Sequence, residues 1–170
     1  VSAVSDDGVD FEFEPGYRLL DRQADYDTAG ITAADVIPPQ TGQTDWTMFF
    51  SAWQDVPQGT PVPRHPSQDP DAANNGLSQD FAVASIASDM AGFRSRIFSA
   101  HSADGLRWDR DGCVVAGAGH DSDELDAVHS EDMSLIRIEK DTYRMYYAAC
   151  DRQGIWTIGS AVNDRFDLIN

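Results

Sequence analysis

The sequence predicts an all-β fold made of repeated small sheets, and three observations carry that prediction. First, a segment recurs at a fixed phase. Asp35-Val36-Ile37 leads Trp46-Thr47-Met48-Phe49-Phe50-Ser51-Ala52, and Asp132-Met133-Ser134 leads Tyr143-Arg144-Met145-Tyr146-Tyr147-Ala148-Ala149. The offset is 97 residues from 35 to 132 and from 46 to 143 alike. Second, a shorter echo follows each copy, Ser99-Ala100-His101-Ser102 and then Ser160-Ala161-Val162-Asn163, at an offset of 61. Third, apolar residues do not recur at helical spacing over any long window, whereas short alternating or aromatic runs are frequent. Sheets that repeat in phase are the mark of a β-propeller.

Taken in chain order, Phe11-Glu12-Phe13-Glu14 alternates and reads as a strand. Trp46 to Trp53 is an aromatic run long enough for a buried strand. From Pro57 to Gly76 the chain holds five of its eight prolines, which suit neither helix nor sheet interior, so a long loop is expected over about 55–79. Asp80 to Ser88 and Ser95 to His101 read as further strands. Ser102 to Trp108 contains Asp104-Gly105, a tight-turn signal because glycine accepts positive φ, and Trp108 is expected to pack between sheets. Val114 begins a strand that decays at Gly117-Ala118-Gly119 into an acidic loop running from His120 to Asp132. Ser134 to Ile138, Tyr143 to Cys150 and Ile155 to Val162 complete the second copy. The expected organisation is one all-β domain over 1–170, with copy one at about 34–112 and copy two at about 128–170.

Composition narrows the function classes. The 170 residues carry a net charge of -17, with 12 cations against 29 carboxylates, and are 41% hydrophobic. A surface of this sign repels nucleic acid and anionic lipid. No run of 18 apolar residues exists, so no membrane span is expected. The N-terminal residues show no signal peptide; secretion, a periplasmic location or the cytoplasm of a salt-adapted organism all fit the composition. Cys113 and Cys150 are too few for a disulfide framework and fit either buried thiols or one bridge.

Two patterns carry a resemblance. One is an acid, two or three apolar residues, a turn and then aromatic-x-Met-aromatic-aromatic-Ser/Ala, seen from Asp35 to Ala52 and from Asp132 to Ala149. The other is apolar-x-Ser/Ala-Ala-x-Ser-x-Asp-Gly-x-x-Trp, seen from Ile97 to Trp108. Together they resemble the inner strands of five-bladed propeller glycosidases, the superfamily of the family 43, 62 and 117 enzymes and more distantly families 32 and 68. The resemblance spans about 34–162. It implies blades of four antiparallel strands whose first strands line an axial funnel, with acids at the starts of those strands. By the same resemblance Asp35 stands where the first-blade general base stands. Glu131-Asp132-Met133 is similar to the Glu-Gly-Pro segment that carries the general acid, which makes Glu131 the acid and Asp132 the repeat counterpart of Asp35. The fructan-enzyme segments Trp-Met-Asn-Asp-Pro, Arg-Asp-Pro and Glu-Cys-Pro are absent, and a third carboxylate has no position. The strands account for two to three blades, so missing sequence or another chain would supply the rest.

The chemistry implied is glycosidic cleavage of an oligosaccharide by Asp35, Glu131 and Asp132, with inversion favoured. One carboxylic acid protonates the leaving oxygen while a carboxylate on the opposite face activates water. The alternative is a propeller that binds carbohydrate or a partner without catalysis. Trp53, which closes its strand, is a candidate ring for sugar stacking. His129 is a candidate hydrogen-bonder, and His101 and Arg96 on the Ser95 to His101 strand are candidate lining residues; each also fits a core or surface role. His120 and His129 flank acids at a spacing that matches no tight metal motif. No cofactor is expected, and the metal the reading leaves room for is a structural divalent cation such as calcium.

Overall fold

The structure, a computed structural model, describes residues 1–20, 22–24, 26–40, 42–55, 93–119, 121–139 and 142–163. The strand expected over 80–88, His120, and all but the first residue of the loop expected over 55–79 lie outside the described residues. Among the described residues there are nine strands and no helix. They are β1 (Ser2–Val4), β2 (Glu12–Glu14), β3 (Gly30–Ile37), β4 (Trp46–Asp55), β5 (Phe93–Ser102), β6 (Asp109–Val115), β7 (His129–Glu139), β8 (Thr142–Cys150) and β9 (Trp156–Asn163). β1 and β2 pair as a hairpin. The other seven form one open sheet in the order β3-β4-β5-β7-β8-β9, with β6 also on β5, and the described strands close no ring.

That sheet divides into two antiparallel meanders, β3-β4-β5-β6 and β7-β8-β9. A single parallel pair, Ser95↔His129, joins them. The ladders of the two meanders correspond row for row. Phe49 pairs with Asp35 on one side and Ser99 on the other; Tyr146 pairs with Ser134 and Ser160. Ser51 lies between Thr32 and Ile97, and Ala148 lies between Glu131 and Ile158.

This register corrects one expectation. Ser134, not Asp132, occupies in β7 the place of Asp35 in β3, and Asp132 takes the place of Ala33. Both strands are bulged there, and both bulge residues are left-handed, with φ of 41° at Ala33 and 49° at Asp132. The cause is hairpin length: Ile37 and its partner Thr47 are ten residues apart, Ile136 and its partner Arg144 eight. Matching by residue type spread the two-residue difference across the turn and hid it. Two boundaries also differ from expectation. Asp35 lies inside β3 instead of ahead of it, and residues 129–132, expected in a loop, belong to β7 because the bulge lets pairing continue past them.

Packing follows the alternation of the strands. Phe49 and Ile97 are fully buried under Met133, Met145, Tyr147 and Ala149 of the second meander. Burying each contributes about 1.5–3 kcal/mol, so this layer holds the meanders together. On the opposite face Met48, Phe50, Ala52, Phe98 and Ala100 are covered by Leu19, Tyr26, Ile31 and Trp108. Trp108 therefore packs under the N-terminal segment and not between the meanders. The Asp104-Gly105 turn forms as expected: Gly105 has φ of 73° and the Asp104 carboxylate accepts from the amides of Leu106 and Arg107 at 2.8 Å. The second meander's outer face is open, with Ile158 74% and Tyr146 40% exposed, at the rows where Ile97 and Phe49 are buried.

Gly159 is required by space. A Cβ there would lie 2.7 Å from Cζ of Tyr147, whose hydroxyl donates to Asp126 at 3.1 Å. Gly159→Ala is expected to cost about 1–3 kcal/mol of unfolding free energy through overpacking, with Tyr147→Phe in the same background recovering little because the ring remains. Urea titration measures both.

Candidate functional site

The start of β7 carries the densest set of buried polar groups among the described residues. His129, Ser130 and Glu131 are 3%, 0% and 3% exposed, and Ser95 of β5 is 1% exposed. The parallel Ser95↔His129 pair puts β5 against the start of β7, so the Ser95 amide donates to His129 Nδ1 at 3.2 Å and its hydroxyl lies 3.0 Å from the same atom. The imidazole sits between two indoles, Trp53 at 5.4 Å and Trp156 at 5.3 Å, the latter nearly parallel. Trp53 is fixed in turn by Nε1 donating to Thr32 Oγ1 at 3.0 Å.

Glu131 stands two rows along from His129, beside Ala148 and Ile158. Burial pushes its carboxyl from the ordinary 4.5 up to about 8; the neighbouring Asp132 charge adds to the rise and a hydrogen bond from Ser95 opposes it. Its Oε2 is buried and has no hydrogen-bond partner. At neutral pH this carboxyl is therefore mostly protonated, the state a general acid requires. Cys150, paired with His129 across the ladder, is a buried thiol pushed up to about 12 by burial, with Asp151 and Glu131 adding to the rise. Cys113 is a free, exposed thiol on β6, so neither cysteine is bridged.

Asp35 lies on the neighbouring β3. Its Oδ2 accepts from the Leu135 amide at 2.7 Å, and the Asp132 amide donates to Ser51 Oγ at 3.0 Å. Both amides belong to the edge of β7 that turns away from β8, so side chains of the first meander satisfy that edge. Leu135 lies four residues beyond Glu131, roughly 13 Å along a strand at about 3.3 Å per residue. Asp132 is exposed.

The structure thus brings together Trp53, His129 and Glu131, with Asp132 beside them and Asp35 further along the same strand pair. It separates the other two candidates from the indole–imidazole stack. His101 is near the far end of β5, where Nδ1 meets Asp111 Oδ1 at 2.6 Å, a contact that raises its pKa. Arg96 donates to Gln54 Oε1 at 2.6 Å and lies over the Phe98 ring at 5.5 Å. Sequence reading missed Ser95, Ser51 and Trp156. The echo at offset 61 places Trp156 in the row of Ser95, which was a usable signal for where β9 begins. No group of three or more His, Cys, Asp or Glu side chains suited to a metal is found among the described residues.

No family model matches this chain, and no curated protein matches it. Among solved structures it is similar to a family 117 glycoside hydrolase produced by the marine bacterium Zobellia galactanivorans, with a TM-score of 0.51 and 16% sequence identity. The match covers 87% of this chain and 39% of that one. A likeness at this identity concerns the fold.

Proposed function

We propose that the chain is the part of a propeller glycosidase that carries its proton donor, with Glu131 in that role, Asp35 as the carboxylate that activates water and Asp132 flanking the donor. The observation that carries the proposal is the buried, protonated Glu131 with one oxygen unpartnered. Asp35 is held in place by the Leu135 amide, on a strand alongside that of Glu131. The resemblance favours inversion, for which the two carboxyls stand about 6.5–9.5 Å apart, over retention, for which they stand roughly 5–5.5 Å apart. Trp53 is the ring available for stacking on sugar. The likeness to a glycoside hydrolase of known fold supports an oligosaccharide as substrate.

The corresponding ladders support reading the meanders as two blades, with further blades from another segment or chain. The exposed row of Tyr146 and Ile158 is where a third would pack, as the second packs on Phe49 and Ile97. A second reading, a sugar-binding propeller without catalysis, is favoured by one observation: Asp35 already spends an oxygen on the edge of β7. Hydrolysis of aryl glycosides and of neutral galactan or arabinan oligosaccharides, measured by reducing-end release, decides between them. Turnover lost in both Asp35→Asn and Glu131→Gln supports the first reading; sugar binding by calorimetry without any turnover supports the second. Asp35→Ala is also expected to lower stability by about 1–3 kcal/mol, since the Leu135 amide loses its acceptor.

A further inference from the structure

We propose that Arg94 and Arg96 form a binding site for an oxyanion, a sulfate or carboxylate group, on the face of β5 turned away from His129. The site goes beyond the proton donor assigned above and does not depend on it. In the ladder Gln54 pairs with Arg94, Ala52 with Arg96 and Phe50 with Phe98. Side chains two residues apart share a face of a strand. Both arginines and Gln54 therefore stand on the face of Phe50 and Phe98, while Ser95 between them turns the other way, to His129. Each guanidinium is anchored. Arg94 Nη2 donates to the Ala116 carbonyl at 2.9 Å. Arg96 Nη2 donates to Gln54 Oε1 at 2.6 Å, and its Cζ lies 5.5 Å from the centre of the Phe98 ring.

What neither arginine has, among the described residues, is a carboxylate. Arg18, Arg110 and Arg152 each pair with one, and the chain carries 29 acids against 12 cations, so acids are not scarce. Burial lowers the Arg94 pKa, and the charge of Arg96 lowers it further. The two cations thus repel each other with no countercharge between them among the described residues. Arg96 Nε is also buried without a hydrogen-bond partner. A guanidinium carries five N–H groups in a planar fork that matches an oxyanion, and the anchoring bond uses one of them on each arginine. Cα atoms two residues apart on a strand lie roughly 6.6 Å from each other, close enough for two long side chains to hold one anion. Such an anion accepts from both forks and offsets the repulsion. Elsewhere the net charge of -17 repels anions, so an anion that stays on this chain is held locally.

The test is titration of the native chain with sodium sulfate, with galactose 6-sulfate and with glucuronate, each replacing chloride at constant ionic strength so that screening stays fixed. Nitrogen-15 signals of the arginine Nε groups, assigned through the backbone, report on each guanidinium. Saturable shifts at Arg94 and Arg96 are expected with at least one of the three, and none with neutral galactose. Arg94→Gln and Arg96→Gln are each expected to weaken binding about tenfold or more, the size of one lost hydrogen bond to a charged group. Arg96→Lys, which keeps the charge without the fork, is expected to weaken it as well. Arg107→Gln removes the same charge from an exposed position and is expected to leave binding as it is. Sugar acids that bind more tightly than sulfate assign the oxyanion to an acidic sugar; sugar acids that bind no more tightly assign it to the free anion. No saturable shift with any of the three, equal shifts with galactose, or a loss in Arg107→Gln as large as in Arg96→Gln overturns the site. The native titration needs neither a variant nor turnover, so its failure leaves the role of Glu131 standing, and its success holds even when no sugar is cleaved.

Discussion

Glu131→Gln should flatten the alkaline arm of the stability profile and, in the proton-donor role proposed for Glu131, lower turnover. Folding raises the Glu131 pKa from 4.5 to about 8, chiefly through burial. The folded chain therefore binds this proton more tightly than the unfolded chain does. The stability tied to it is fully present below about pH 4.5 and is lost as pH rises from there through about 8. At 1.36 kcal/mol per pH unit, the loss is on the order of a few kcal/mol by pH 9. Glutamine cannot ionise and keeps the side chain's size, so the variant should match the native chain at pH 4 and exceed it at pH 9. Urea midpoints across that range measure the difference. Parallel profiles for the two proteins would mean that Glu131 ionises freely and is no reservoir for a proton. Under the proposed role, losing the general acid is expected to lower turnover by about 10²–10⁴-fold, with the loss smallest on substrates whose leaving group needs no proton.

The second large effect is structural. Asp27 is fully buried and forms an ion pair with Arg110 at 2.8 Å, while its other oxygen accepts from the Ala24 amide at 2.8 Å. Arg110 also donates to the Tyr26 hydroxyl and the Leu20 carbonyl and lies over the Tyr26 and Phe50 rings. Tyr26 in turn stacks on Phe98 at 3.9 Å. This one pair fastens the segment before β3 to the face of the first meander. Asp27→Ala leaves a cation among apolar rings with its countercharge gone, so a cost of about 3–5 kcal/mol is expected by denaturant unfolding. Asp27→Leu combined with Arg110→Met should recover much of that loss, because well-packed apolar pairs replace buried ion pairs at little cost. If the single variant costs less than 1 kcal/mol, the segment is not held this way.

How far the sequence could be read depends on what each residue reports. Trp46 to Trp53 alternates between two buried layers and Tyr143 to Cys150 between a buried layer and a more open face, and those patterns are visible in one dimension; both strands form within two residues of the expected limits at either end. The echo of Ser99 and Ser160 fell in register because the extra residues of the first copy lie between β4 and β5 and alter the length of neither strand. Asp132 misled for the opposite reason. A hairpin two residues shorter moves the equivalence without altering any residue type, and only the ladder reveals it. Glu131 and His129 were found through their neighbours in sequence, whereas Ser95 and Trp156 reach the same spot from other strands. Bland residue types at a distance announce nothing until the chain folds. Asp27 and Arg110 escaped for a related reason, since in so acidic a chain an arbitrary aspartate looks like surface.

The manner in which β7 is closed along its free side has a consequence for motion. The amides of residues 132 and 135 are satisfied by Ser51 and Asp35 of the other meander and not by a ladder. Their hydrogens can exchange with deuterated solvent whenever the two halves part, even briefly, without any strand coming undone. Those two sites make a built-in gauge of how often the halves breathe, legible against the slower ladder amides beside them.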